Sequence, residues 1–124
     1  MSEPHAFRRA AESGDIEALI PIMREDVVLH SPVLFEGYRG REVVAAVLTQ
    51  VAAILEDFTY TGELADETTV VLRFSAKIGK RELDGIDYIE LDEDGKIASL
   101  IVFMRPLSSL VSFNEEMAAR LAAG

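Results

Sequence analysis

The chain contains no cysteine. Disulfide staples and thiolate catalysis are therefore excluded, and the absence suits a cytoplasmic protein. Basic residues are scarce: 12 lysines and arginines stand against 22 aspartates and glutamates, a net charge of −10. Nucleic acid and anionic membranes both need basic surface, so neither is expected as a partner. No apolar run approaches the roughly 18 residues of a membrane span, and no basic-then-apolar leader is recognisable. Histidine occurs only at His5 and His30. No carboxylate cluster is spaced to join them, so no metal site is expected. A phosphate-cradling glycine loop and a serine nucleophile motif are also missing, and no cofactor is expected. Repeats, low-complexity tracts and linker-like stretches are absent. What is present is 124 residues, 49% of them hydrophobic. That is enough for one globular domain over residues 1–124, with a real core.

The first half reads as helical. Ala6, Phe7, Ala10 and Ala11 share one face of a short opening helix that Gly14 ends. Asp15 is placed to cap a second helix, with Ile16, Leu19, Ile20 and Met23 at i, i+3, i+4, i+7 spacing. Pro21 lies inside it and should kink or restart it. Val27 to Ser31 reads as a short strand and Pro32 to Gly40 as a loop. Beyond Gly40 the residues Val44, Val47, Leu48, Val51 and Leu55 form an apolar helical stripe.

After residue 56 the period changes to two. Phe58, Tyr60 and Leu64 alternate with Thr59, Thr61 and Glu63, and Leu72, Phe74 and Ala76 oppose Arg73, Ser75 and Lys77. Turns are expected at Gly79-Lys80 and Asp94-Gly95, with strands Arg81–Asp92 and Lys96–Arg105 after them. Helices followed by an antiparallel meander predict an α+β fold with a curved sheet wrapped over helices. A last helix follows Pro106, with Leu107, Leu110, Val111, Ala118 and Leu121 on its apolar side. The final strand is apolar on both faces: Leu100, Val102 and Met104 on one, Ile97, Ile101 and Phe103 on the other. One face can line the core. The other needs cover, either from the terminal helix or from a second subunit, and a homodimer through the outer sheet face is the favoured expectation.

The strand Leu83 to Asp92 carries the main chemical signal. Alternation puts Leu83, Gly85, Asp87, Ile89 and Leu91 on one face. A carboxylate within an apolar row is costly unless it is paired, protonated or beside a wet cavity. Asp87 is therefore the candidate catalytic group. Its expected neighbours are Phe58, Tyr60, Leu72, Phe74, Leu100, Val102 and Met104, surroundings that disfavour its charged form and raise its pKa. A structural role, with the carboxyl satisfied by a backbone amide or a tyrosine hydroxyl, is the alternative. Gly85 leaves room for a ligand or serves sheet curvature. Tyr60 is a potential hydroxyl donor to a ligand, or a core tyrosine with its hydroxyl in water. Arg73 and Arg105 fall on outward faces.

Several segments together resemble a known superfamily. They are Gly14-Asp15-Ile16-Glu17-Ala18, Leu29-His30-Ser31-Pro32, Gly40-Arg41-Glu42, Leu83-Asp84-Gly85-Ile86-Asp87 and Asp92-Glu93-Asp94-Gly95-Lys96-Ile97. Their order and spacing resemble the nuclear transport factor two-like superfamily, nearest to its ketosteroid isomerase and SnoaL-like polyketide cyclase branches, from about Phe7 to Arg105. The resemblance implies a cone-shaped α+β roll, with three N-terminal helices under a curved sheet, around a deep apolar pocket, usually in a dimer. Ketosteroid isomerases place a carboxylate base where this chain has Ser31. They place tyrosine hydroxyls where it has Phe7 and Leu48, and a protonated aspartate where it has Asp87. Without the base and the hydroxyl, the resemblance does not carry steroid isomerisation to this chain. A single aspartate acting as acid and base remains in keeping with the cyclase branch. The Asp-Arg-Asp set of the superfamily's epoxide hydrolases is not supported, because Arg73 and Arg105 point outward.

The expected binding pocket thus comprises Phe7, Ser31, Leu48, Phe58, Tyr60, Phe74, Leu83, Val102 and Met104. Phe35 and Tyr38, in the loop after Pro32, would form its rim. His30 is a possible second polar group if a bulge turns it inward. Two functions fit: a cofactor-free isomerase or cyclase acting on a small apolar carbonyl compound, or a binding or dimeric assembly module that keeps the pocket without the chemistry.

Overall fold

His5 opens the first helix. Its Nδ1 accepts the Phe7 N–H at 3.1 Å and caps α1, Ala6–Ser13. The computed structural model describes residues 5–123. Gly14 closes α1 with φ 75°, a left-handed state that glycine adopts without steric cost. Phe7 and Ala10 are its buried residues. Asp15 accepts the Ala18 N–H, as its capping position predicts, but Ile16–Ile22 is a 3-10 helix rather than an α-helix. Pro21 supplies no N–H and crowds the preceding turn, so α geometry is not sustained there. Of the expected stripe, Leu19 is buried, Ile16 and Ile20 are partly buried, and Met23 instead opens the first strand.

That strand, β1, runs Met23–His30, starting earlier than Val27 and stopping before Ser31. A two-residue strand, β2 (Tyr38–Arg39), lies inside the stretch read as loop. Helix α2, Arg41–Ile54, buries Val44, Val47 and Leu48 as its stripe predicts. Four strands follow: β3 (Glu56–Ala65), β4 (Thr69–Ile78), β5 (Arg81–Leu91) and β6 (Ile97–Arg105). The sheet order is β2-β1-β6-β5-β4-β3, antiparallel except where β1 runs parallel to β6. Among the described residues no helix is long and apolar enough to cross a membrane.

Two bulges correct the alternation. The β3–β4 register shifts between Tyr60 and Gly62, so Leu64 leaves the face it was expected to share with Tyr60 and is 76% exposed. The β5–β6 register shifts between Glu90 and Leu91, and Ile97 turns into the core instead of lying with Ile101 and Phe103. A single extra residue reverses every later side chain in a period of two.

The last helix, α3, spans Leu107–Ala123. Its buried side is Ser109, Phe113 and Met117 with Leu110 partly buried, whereas Leu107, Val111, Ala118 and Leu121 are exposed. The chain carries apolar residues around much of this helix, and the larger Phe113 and Met117 take the interior. Ser109 donates to the Glu82 carbonyl at 2.7 Å and Arg120 to Gln50 at 3.3 Å, which hold α3 against β5 and α2. The helix therefore packs with the concave side of the sheet and leaves the outer face open, where Phe103 and its cross-strand partner Ile86 are 54% and 37% exposed.

Candidate functional site

Pairing along the sheet sets Asp87 between Leu72 of β4 and Val102 of β6, on the inward row that also holds Leu83, Gly85 and Ile89. Only 6% of its surface is exposed. The Tyr60 hydroxyl donates to Asp87 Oδ2 at 2.8 Å across the sheet. Tyr60 is itself buried, edge-on to Phe58 with ring centres 4.9 Å apart, while Phe58 stacks on Phe74 at 4.9 Å. The Arg8 guanidinium lies over the Tyr60 ring, 5.9 Å from its centre.

This environment separates the two protons. Burial pushes the Asp87 carboxyl up to about 7, against the smaller downward pull of the Tyr60 hydrogen bond. Burial, then the nearby Asp87 charge, raises the Tyr60 hydroxyl far above its ordinary value. Tyr60 thus keeps its proton and serves as donor, and Asp87 is the group that changes charge near neutrality.

Asp87 opens onto a cavity of about 320 Å³ between sheet and helices, at the lower end of the roughly 300–1,000 Å³ range of small-molecule sites. Glu12, Ser13, Gly14 and Ala52 are its exposed wall residues, so the cavity meets solvent between the end of α1 and the end of α2. Asp87, Phe7, Ser31, Tyr38, Leu48, Phe58, Tyr60, Phe74, Val102 and Met104 all line it.

Three expected members lie elsewhere. Leu83 is buried on the correct face but does not reach the cavity, because the start of α3 docks beside it through the Ser109–Glu82 bond. Phe35 is 99% exposed at the tip of its loop. His30 does not line the cavity; its ring packs against Gly37, where an added Cβ would lie 3.2 Å from Cε1. Ser31, one residue on, takes the inward position.

Three residues have uses other than a direct part in ligand binding. Ser31 Oγ accepts the Leu34 and Val33 N–H groups at 3.1 and 3.4 Å, so it shapes the loop. Gly85 does not make room for a ligand: an added Cβ would strike the Phe103 carbonyl and sit 2.6 Å from Phe74 Cζ. The Phe74 ring occupies that space and β6 passes close behind. Tyr60 has neither a free hydroxyl nor one in water, since its hydrogen bond goes to Asp87.

The sequence reading missed Phe113 and Met117 of α3, together with Leu19, Leu29 and Val47. The i, i+3, i+7 spacing of Leu110, Phe113 and Met117 was the available signal. Arg73 and Arg105 do point outward, to Asp84 at 3.0 and 3.2 Å. The Arg73 hydrogen bond, and then Arg105, hold the Asp84 carboxyl below its usual range. Among the described residues no three histidine, aspartate or glutamate side chains are grouped to hold a metal ion.

A mostly apolar cone with one inward acid on its middle strand can be compared with known proteins. Residues 5–100 match the SnoaL-like domain. The chain belongs to the SnoaL-like family. Its fold is NTF2-like, shared with an NTF2-like protein from Burkholderia xenovorans at 18% identity and TM-score 0.69, over 80% of this chain and 77% of that one. A steroid delta-isomerase from Pseudomonas aeruginosa is 40% identical, with TM-score 0.89 over 94% of this chain and 87% of its own. A protein from Silicibacter pomeroyi with a cystatin-like fold is 29% identical, with TM-score 0.90 over 94% and 83% of the two chains. No curated protein matches the sequence significantly. Within this SnoaL-like domain, the polar equipment of the cavity centres on the Asp87–Tyr60 pair.

Proposed function

We propose that this SnoaL-like protein binds a small apolar carbonyl compound and acts on it, without a cofactor, as an isomerase or cyclase with Asp87 as acid and base. The observation that carries the reading is the position of Asp87: buried, open to the cavity, tied at one oxygen by Tyr60 and poised near neutrality. Tyr60 occupies Oδ2, so Oδ1 is the oxygen left for a ligand. In its neutral form Oδ1–H donates to a carbonyl oxygen. In its ionised form Asp87 removes a proton from the carbon beside that carbonyl, which leaves an enolate and a neutral acid. Return of the proton to another carbon of the enolate is an isomerisation. Attack of the enolate carbon on a second carbonyl, with the proton passed to the resulting alkoxide, is a cyclisation.

Ser31 and Phe7 favour the second reading, a non-catalytic ligand-binding module. The Ser31 hydroxyl accepts two backbone N–H groups, and Phe7 brings no hydroxyl. The test is turnover of small cyclic enones and diketones by the wild type and by Asp87→Asn. The enzyme reading expects turnover that falls at least about 100-fold in the variant, the scale of lost acid–base catalysis. Ligand binding without turnover in either protein would leave the module.

We also propose that the protein is a cytoplasmic homodimer. The outer face offers an apolar strip of Phe103, Ile86 and Ile101 bordered by the Asp84, Arg73 and Arg105 charges. A patch bordered by both signs of charge can meet its own copy across a two-fold axis.

A further inference from the structure

The cavity wall is one-sided in charge. Among the described residues its only charged side chains are Glu12 and Asp87, and no described lysine, arginine or histidine lines it. Of the chain's six phenylalanines and three tyrosines, six rings do: Phe7, Tyr38, Phe58, Tyr60, Phe74 and Phe113. Aromatic faces carry negative potential and attract cations. The two carboxyls differ in setting. Asp87 is deep, whereas the Glu12 side chain is 40% exposed where the cavity meets solvent at the end of α1. Arg8 does not line the cavity, but it pairs with Glu12 at 3.4 Å and with Glu63 at 3.3 Å and lies 5.9 Å from the Tyr60 ring centre, so part of the Glu12 charge is already answered from behind the wall. An anionic group entering the cavity would lose its hydration and meet no positive side chain among the described wall residues, the Arg8 charge being already paired with Glu12 and Glu63.

From these observations we infer that the cavity selects a carbonyl compound with a protonated amine at its outer end, with Glu12 as counter-charge, and rejects the matching carboxylate. The carbonyl goes to the Asp87 end. The flat hydrocarbon lies among the rings. The ammonium stays at the mouth, partly hydrated, where Glu12 and the aromatic faces both attract it. This inference rests on the carbonyl-site reading and adds the charge of the other end.

Three matched probes test it: 4-phenylcyclohexanone, its para-aminomethyl derivative and its para-carboxy derivative. Their affinities are measured by calorimetry on the full chain at low ionic strength, where screening is weak. The expected order is amine tighter than parent by about threefold or more, the scale of a partly exposed ion pair. The carboxylate should be weaker than the parent by about tenfold or more, the scale of an uncompensated charge. Glu12→Gln should bring the amine to within about twofold of the parent, because the partner charge is gone while the cavity shape is kept. Equal binding of all three, or an amine advantage that survives Glu12→Gln, would overturn the inference while leaving the carbonyl site standing, provided Asp87→Asn still weakens the parent ketone. Binding of none of the three would overturn both.

Discussion

The pair Asp87 and Tyr60 ties stability to pH in a definite direction. The native carboxyl holds its proton up to about pH 7, whereas an ordinary carboxyl loses it near 3.8. Between those values the folded protein binds more protons than the unfolded chain, so this group's stabilising contribution is complete at low pH and is lost as pH rises. The difference corresponds to about 4 kcal/mol at most. Comparison with Asp87→Asn isolates it from the carboxylates at the surface. In denaturant titrations the wild type should lose stability relative to the variant as pH rises from about 4 to about 7. A flat difference would contradict the buried acid. Tyr60→Phe removes the one hydrogen bond that favours the carboxylate, so the Asp87 pKa should rise further, read as a later carboxyl carbon titration by NMR. Alternation along β5 already pointed Asp87 inward, and the apolar residues around it already implied a raised pKa. A tyrosine hydroxyl was one of two partners the sequence offered and Tyr60 an expected neighbour, but the choice between that hydroxyl and a backbone amide was not legible, because Tyr60 is 27 residues away and meets Asp87 only through the sheet.

At the scale of elements, periodicity served well wherever the chain stayed regular. β4 follows its pattern, β5 does so from Leu83 to Ile89, and the α2 stripe holds at Val44, Val47 and Leu48, with Val51 partly buried and Leu55 just past the helix end. Errors collect at Pro21, at the two bulges and on α3. A bulge has no reliable mark in a single sequence, yet it moved Leu64 to solvent and Ile97 to the core. Helix α3 has apolar residues on more than one side, so its own pattern does not choose which side is buried. The choice is testable. Phe113→Ala should cost about 3 kcal/mol and enlarge the cavity, whereas Val111→Ala and Leu121→Ala should stay within about 0.5 kcal/mol of wild type in thermal or denaturant unfolding. Equal losses at all three positions would mean that α3 buries a different face.

For the whole molecule, the curved sheet makes two surfaces with different fates. The concave one is closed by α1, the 3-10 helix, α2 and α3 around the cavity. The convex one keeps Phe103 and Ile86 in contact with solvent. Sedimentation should show a dimer for the wild type and a monomer with an unchanged circular dichroism spectrum for Phe103→Asp, since a charge at the centre of a dry interface is costly. A wild-type monomer would reject pairing through this face. By itself the sequence determined the order of elements, the inward acid and most of the cavity wall. Those follow from local backbone geometry, the period of two or 3.6 and the residues that turn or cap the chain. The tertiary structure alone chose the Tyr60 hydroxyl over a backbone amide as the partner of Asp87, and decided that Phe113 and Met117 close the cavity, that Phe74 fills the space at Gly85, and that Phe35 and His30 stay out. Each of these depends on which distant segments compete for the same volume, and a linear pattern does not carry that information.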